Sequence, residues 1–437
     1  MVAVAERTDC VVIGGGPAGM VLGLLLARAG VEVTVLEKHA DFLRDFRGDT
    51  VHPSTLQLLD ELGLGERFHA LPHSEIQQIG FPLGRDRTLT FADLSKLKVT
   101  YPYVAMVPQW DFLDLLADAG RSEPTFTLRM STEVTGLVSE GDRIAGVRYR
   151  AADGTEGEIR AGLTVAADGR WSLGRRQAGL RPQEFDVPFD AWWFRLPRLD
   201  GERGDTISPQ MRNRKFAVAL PREGYFQIAY LAPKGSDEDL RHAGIEQFRA
   251  SVADAYPDYA DRLGALETMD DVKFLDVKLN RLHRWHTEGL LCIGDAAHAM
   301  SPIGGVGINL AVQDAVATAH LLAAPLRRGR PSTKDLAKVR RRRWLPTVAV
   351  QLLQRLLHRA VLRPVMEGRR DGPPKPVIAA LTAFPALSVV PAYLIGVGLR
   401  PEHAPEFARR KAAARSATVE GGGGLAGGPV SPAPRDS

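Results

Sequence analysis

Two glycine-rich segments, far apart in the chain, have the spacing to hold a phosphorylated redox cofactor. The first is Gly14-Gly15-Gly16-Pro17-Ala18-Gly19, in which Gly14, Gly16 and Gly19 form a G-x-G-x-x-G pattern. It follows an apolar strand-like run at 9–13 and opens a helical run from Met20 to Ala29. In that setting Gly14 permits a tight turn, Gly16 lets the backbone approach a pyrophosphate, and Gly19 lets helix pack on strand. Pro17 and Ala18 begin the helix, whose free N–H groups and dipole face the phosphates. Glu37 ends the next strand, eighteen residues after Gly19, where a carboxylate accepts hydrogen bonds from an adenosine ribose. The second segment, 289–309, runs from an apolar strand into Gly294-Asp295 and then through Pro302 and Gly304-Gly305-Val306-Gly307 into Ile308 and Asn309. A carboxylate at a strand end suits a ribitol hydroxyl. Backbone N–H groups at a helix start suit the flavin edge that gains negative charge on reduction. The first segment alone indicates a dinucleotide; the second makes it FAD.

These residues need a scaffold that brings strand ends together. Residues 9–36 read as a βαβ unit. Pro53 to Gly63 and Asp111 to Ala119 read as helices, and residues 125–165 as short strands around Gly-Asp and Asp-Gly turns. Runs at 189–196, 215–221, 225–231 and 272–279 read as strands of an antiparallel sheet, with a helix at 238–254. From 308 to about 363 the pattern is helical; Lys-Val-Arg-Arg-Arg-Arg at 338–343 reads as a solvated helix face. The fold expected is α/β: a Rossmann-like FAD-binding domain with an inserted α+β, antiparallel-sheet substrate domain, and C-terminal helices. The expected bounds are 1–180 and 281–330 for the FAD domain, 181–280 for the substrate domain, 331–412 for the helical region, and a disordered Gly/Pro-rich tail at 413–437.

The motifs resemble those of the group A flavoprotein monooxygenases, the para-hydroxybenzoate hydroxylase-like aromatic hydroxylases. Gly294-Asp295…Pro302 is similar to that family's second FAD fingerprint. Asp168-Gly169-Arg170-Trp171-Ser172 is similar to its Asp-Gly motif, implicated in FAD and NADPH binding. Arg47 stands where the family carries a flavin-contacting arginine, and Gln109 where it carries an Arg or Gln near the FAD phosphates. The likeness spans about residues 8–400. It implies Lys38 and Val134 as further cofactor contacts, and Arg47 and Pro302 as the residues nearest the chemistry. It also implies the reaction: NAD(P)H docks transiently and reduces FAD, O₂ gives a C4a-hydroperoxyflavin, and one oxygen passes to an aromatic or polycyclic small molecule. Natural-product biosynthesis or antibiotic inactivation is the setting implied. Trp193, Phe226, Ile228 and Tyr230 are the expected substrate wall, with Phe216, Val218, Leu220, Phe81 and Met106 as further candidates; sheet core is the competing role.

Other readings are weighed against this. A single G-x-G-x-x-G speaks against a two-nucleotide reductase. Trp192-Trp193-Phe-Arg-Leu-Pro197 lacks the Trp-x-Trp-x-Ile-Pro pattern of flavin halogenases. An isoprenoid-chain saturase and a non-redox FAD-binding cyclase share the fingerprints and stay as alternatives. The net charge of +4 over 437 residues argues against nucleic acid as a partner. Two cysteines, each in an apolar run, exclude a disulfide scaffold and favour a cytoplasmic location. There is no signal-peptide pattern, no metal-ligand cluster and no membrane-span-length apolar run; peripheral contact through the apolar segment 377–399 stays open. The length leaves no room for the thioredoxin-like third domain of longer phenol hydroxylases.

Overall fold

A computed structural model describes residues 6–43, 49–82, 88–202, 204–370 and 372–410. The principal elements, in chain order, begin with β1 (Glu6–Ile13), α1 (Pro17–Arg28), β2 (Val33–Leu36) and α2 (Pro53–Glu61). A hairpin, β3 (Gln78–Pro82) and β4 (Thr88–Asp93), precedes α3 (Gln109–Arg121) and β5 (Phe126–Arg129). The meander β6 (Thr132–Glu140), β7 (Arg143–Ala151) and β8 (Glu156–Ala166) follows. Next come β9 (Phe189–Pro197), β10 (Thr206–Arg212), β11 (Lys215–Pro221), β12 (Tyr225–Pro233), α4 (Asp237–Ala255) and β13 (Lys273–Leu275). The chain closes with β14 (Leu290–Cys292), α5 (Gly307–Arg327), α6 (Thr333–Leu357), α7 (Lys375–Ala383) and α8 (Val389–Gly396).

Strands β14, β8, β1, β2 and β5 lie side by side in that order, all parallel. Their registers align Cys292 with Ala166, Ala166 with Ile13, and Ile13 with Leu36. Gly14, Glu37, Ala167-Asp168 and Gly294-Asp295 therefore emerge from one sheet edge, the carboxyl edge where open α/β sheets bind ligands. Both faces of this sheet are covered: α1 is buried along nearly its whole length, and β1, β2 and β14 end in continuous buried apolar residues. Cys10 and Cys292 sit in that core, and burial pushes both thiols well above the usual range.

The second sheet has the order β13-β9-β12-β11-β10-β3-β4. Its strands come mostly from 189–275, but β3 and β4 are contributed by residues 78–93, joined through a parallel β10–β3 contact. The sheet thus reaches outside the 181–280 span expected from sequence. Strand 272–279 is shorter than expected, ending at Leu275.

Helix α6 inverts the usual amphipathic arrangement. It buries Arg343, Thr347, Gln351 and Gln354, at helical spacing, and exposes Leu345, Leu352 and Leu356. The basic run is thus not a uniformly solvated face. Arg343 is 0% exposed, with Nε 3.0 Å from Asp314 Oδ1 of α5 and Nη1 3.4 Å from Glu402. Asp314 also takes His298 Nε2 at 2.6 Å, and Trp285 packs beside that imidazole. Among the described residues no single helix is long and apolar enough to cross a membrane; the pair at 375–383 and 385–396 is bent by 111°.

Candidate flavin and substrate site

The glycines of the first segment divide by geometry. A Cβ on Gly19 would lie 2.0 Å from the Gly14 carbonyl oxygen, so only glycine allows α1 to pack here. Gly14 has φ +101° and lies against the Ala167 carbonyl. At Gly16 a Cβ would meet nothing within 4 Å: the turn faces open space at the start of α1. Gly16, Pro17 and Ala18 line a cavity of about 1070 Å³. Glu37 turns back into the turn, its Oε2 accepting the Gly15 N–H at 2.9 Å and its Oε1 the His39 N–H at 3.1 Å. Lys38 is exposed beside it, and Val134 is packed into the core of the parallel sheet.

The second segment lines the same cavity, from Asp295 through Pro302, Gly304, Gly305, Val306, Gly307 and Ile308. Positive φ at Gly304 and Gly305 turns the chain into α5. The turn is held from below: the Gly305 carbonyl accepts from Thr50 Oγ1 and from His52 Nε2, each at 3.0 Å. Burial drives the His52 imidazole down to about 4, so it is neutral. The Pro302 carbonyl is engaged by the Gly305 N–H at 3.0 Å. Asn309 does not line the cavity with its side chain. Its Oδ1 accepts from Ser54 and Thr55 at 2.8 and 2.9 Å, fixing α5 to α2 and leaving its first-turn N–H for a ligand.

The Asp-Gly motif closes the third side. Asp168 Oδ2 accepts the Gly174 N–H at 3.1 Å, while its Oδ1 is buried with no partner. Gly169 and Arg170 line the cavity, and Arg170 reaches Asp295 at 3.5 Å. Gln109 lines it from the start of α3, its N–H on Asp49 Oδ1 at 3.2 Å. Asp49, which sequence reasoning missed, pairs with the buried Arg222 of the β11–β12 turn at 2.9 Å and so ties the segment before α2 to the second sheet. Burial raises the Asp49 carboxyl, against the pull of Arg222. Arg47 lies outside the described residues. The open cradle at Gly16, the orphaned acceptor on Asp168 and the paired glycine turns on one cavity all fit FAD.

The substrate side is the second sheet. Trp193 faces the cavity, and its Nε1 is buried without a partner. Register settles its neighbours. Trp193 stands opposite Ala229, so the same face of β12 carries Gln227, Ala229 and Leu231. Phe226, Ile228 and Tyr230 are on the other face, packed under α4 against Phe248 and Val252, with Tyr230 Oη bonded to Ser251. Those three expected substrate residues are therefore sheet core; alternation along a strand offers two faces, and the sequence does not say which one α4 covers. Phe216, Val218 and Leu220 do line the cavity, as do Phe81 and Met106. Helices α6 to α8 complete the wall, a contribution that broken apolar runs gave no means of placing.

Residues 7–351 match the family model described as FAD binding domain. The chain is 35% identical over 401 residues to 6-methylpretetramide 4-monooxygenase of Streptomyces rimosus, covering 89% of this chain and 90% of that one. It is 30% identical over 390 residues to 12-dehydrotetracycline 5-monooxygenase/anhydrotetracycline 6-monooxygenase of Streptomyces rimosus subsp. rimosus, covering 84% and 72%. Among solved structures, anhydrotetracycline hydroxylase from Streptomyces rimosus superposes with a TM-score of 0.69 at 26% identity, covering 90% of this chain and 76% of that one. With both glycine segments on one cavity and the match running through both sheets, the chain belongs to the FAD-binding family of flavin-dependent aromatic monooxygenases.

Proposed function

We propose that this monooxygenase hydroxylates a polycyclic phenol of tetracyclic polyketide size. The observation that carries the reading is the single cavity of about 1070 Å³ that runs from Gly16 to Trp193. That volume is at the upper end of small-molecule sites, as a flavin ring beside a flat multi-ring substrate requires. Support comes from the 35% identical relative, which acts on 6-methylpretetramide. NAD(P)H is the reductant typical of the family, and the bound, reduced flavin supplies activated oxygen.

The chain's own residues bind, orient and exclude water. In this reading Gly16 to Ala18 receive the pyrophosphate, with Gln109 flanking it. Glu37, with Lys38 and Val134 close by, holds the adenosine end, and Asp168 and Asp295 take flavin-side hydroxyls. The Gly304–Asn309 turn presents N–H groups to the flavin edge. The Pro302 turn, on the cavity wall, is the part of the chain we assign to the chemistry, with Arg47 assigned there by the resemblance alone. Trp193 Nε1 donates to a substrate oxygen, and Phe216, Val218 and Leu220 keep that side dry. Buried thiols at Cys10 and Cys292 fit a cytoplasmic location.

The test is anaerobic stopped-flow reduction by NADPH and NADH against a panel of polycyclic phenols, followed by mass spectrometry after O₂ is admitted. A ligand that accelerates reduction and gains one oxygen supports the reading. NAD(P)H consumption with no oxygenated product from any phenol overturns it.

A further inference from the structure

The apolar segment 377–399 forms an outer wall of the cavity, and most of its large side chains face solvent. Of helix α7 only Leu381 is buried. Across α7, α8 and the turn joining them, Val377, Phe384, Leu387, Val390 and Tyr393 are exposed, Phe384 by 65% and Val390 by 58%. On α6, Leu352 and Leu356 are exposed by 53% each. Single exposed apolar side chains are ordinary; a gathered set marks a surface that binds something. Looseness does not explain the exposure. The other side of α8 is anchored, with Ala392, Ile395 and Val397 packed in one cluster with Ile76 and Leu94. Leu356, Val377, Leu387 and Val390 also line the flavin cavity, so this face surrounds an opening into it. The helix pair is bent by 111°, the shape of an element that lies along an interface rather than across it.

Charge selects the occupant. Between 355 and 375 the chain carries Arg355, Arg359, Arg363, Arg369, Arg370 and Lys375 against Glu367 and Asp371. Arg363 and Arg369 are paired, with Asp186 and Glu367. Arg359, Arg370 and Lys375 are exposed and make no ion pair among the described residues. Arg359 continues the stripe of Leu352 and Leu356 at helical spacing, and Lys375 opens α7 just before Val377. A second copy of this chain would set the same cations against these, which repels. Residues 411–437 have Val419, Leu425 and Val430 as their only large apolar side chains, too few to cover the face. An anionic lipid surface meets both demands, with an acyl layer for the apolar side chains and headgroup charge for the cations.

We propose that α7, α8 and the exposed stripe of α6 dock on an anionic lipid surface, and that an apolar polycyclic substrate passes from the lipid into the cavity through this opening. Docking stands on the face alone; the passage of substrate rests on the phenolic reading above. A flat multi-ring phenol partitions into lipid, and an opening ringed by Leu356, Val377, Leu387 and Val390 lets it reach the cavity without crossing water.

The experiment sediments the flavin-loaded protein with vesicles of phosphatidylglycerol and phosphatidylcholine in equal parts, and with vesicles of phosphatidylcholine alone. Wild type should bind the anionic vesicles at least about tenfold more tightly than the neutral ones, and lose that preference at high salt. Two variants separate the apolar and charged contributions: Phe384→Ser/Tyr393→Ser, at positions off the cavity wall, and Arg359→Glu/Arg370→Glu/Lys375→Glu. Each should weaken binding to anionic vesicles at least about tenfold with the bound-flavin spectrum unchanged. For 1,2-dihydroxyanthraquinone carried in the vesicles, KM should rise in both variants, while KM for the same phenol in free solution stays as in wild type. A wild type that binds neither vesicle, or both equally, overturns the docking. So does a dimer by light scattering that Phe384→Ser/Tyr393→Ser disperses, since the face then belongs to a second copy. Salt-sensitive vesicle binding with no phenol hydroxylated overturns the function instead, and leaves the docking standing. If the triple variant fails to fold, the double variant and the salt dependence decide alone.

Discussion

At the scale of single residues, the first glycine turn separates folding from binding. Gly19 is required by packing, because its missing Cβ is replaced by the Gly14 carbonyl at 2.0 Å. Gly16 is required by nothing in the protein itself, since its missing Cβ faces open space. We expect Gly19→Ala to lower the stability of the flavin-free protein by about 1–3 kcal/mol in denaturant titrations, the range for an overpacked core. Gly16→Val should leave that stability within about 0.5 kcal/mol and yet abolish the visible flavin absorbance of the purified protein. A yellow Gly16→Val protein would mean that the phosphates lie elsewhere. Asp295 gives the companion test on the other segment. Asp295→Ala loses the Arg170 partner at 3.5 Å and should weaken FAD at least about tenfold by equilibrium dialysis. Full occupancy would remove Asp295 from the site. These residues were legible in the sequence because their chemistry depends on local spacing.

At the scale of elements, legibility follows the range of the forces involved. The βαβ unit, the meander and the hairpin β11–β12 were readable from alternation and turn residues. Which face of β12 meets the cavity was not, because Phe226, Ile228 and Tyr230 are as apolar as Gln227, Ala229 and Leu231 are mixed. A pattern that buries both faces carries no sign of which side a helix covers. Helix α6 misled for the opposite reason. Its buried face is polar, so Arg343 resembled a surface residue until Asp314 and Glu402 were seen beside it. The signal was present as polar residues at positions 343, 347, 351 and 354, one helical stripe. That stripe makes a strong prediction. Asp314→Ala leaves Arg343 charged and fully buried without its main partner, and should cost about 3–5 kcal/mol in chemical denaturation. The double variant Asp314→Ala/Arg343→Met should recover much of it. Equal losses in the single and double variants would mean that the pair is not coupled.

At the scale of the whole molecule, the site exists because the carboxyl edge of one sheet and the face of another border one cavity. The parallel sheet supplies turns at its carboxyl edge, the antiparallel sheet supplies an apolar wall, and the buried pair of Asp49 with Arg222 lies beside the cavity. Two neutral histidines, His52 under the Gly305 turn and His358 behind Ser301, are built into the seam. This makes the joint acid-sensitive. Burial lowers both imidazoles to about 4, whereas an unfolded histidine titrates near 6.5. Between those values the unfolded chain binds protons that the folded one refuses, so stability falls as pH drops below about 6.5 and these two groups contribute no slope above it. The cost is about 2 kcal/mol per histidine by pH 5, set by that difference in titration. Asp49 acts in the opposite sense, because its raised carboxyl takes up a proton more readily folded than unfolded, and it blunts the lower end of the window. Denaturant midpoints measured from pH 8 to 5 should therefore be level down to about 6.5 and then fall. His52→Gln keeps a donor for the Gly305 carbonyl but cannot titrate, so its curve should fall about half as steeply. A His52→Gln curve parallel to wild type would show that the imidazole is already accessible to protons in the folded protein, and that the seam is open at that point.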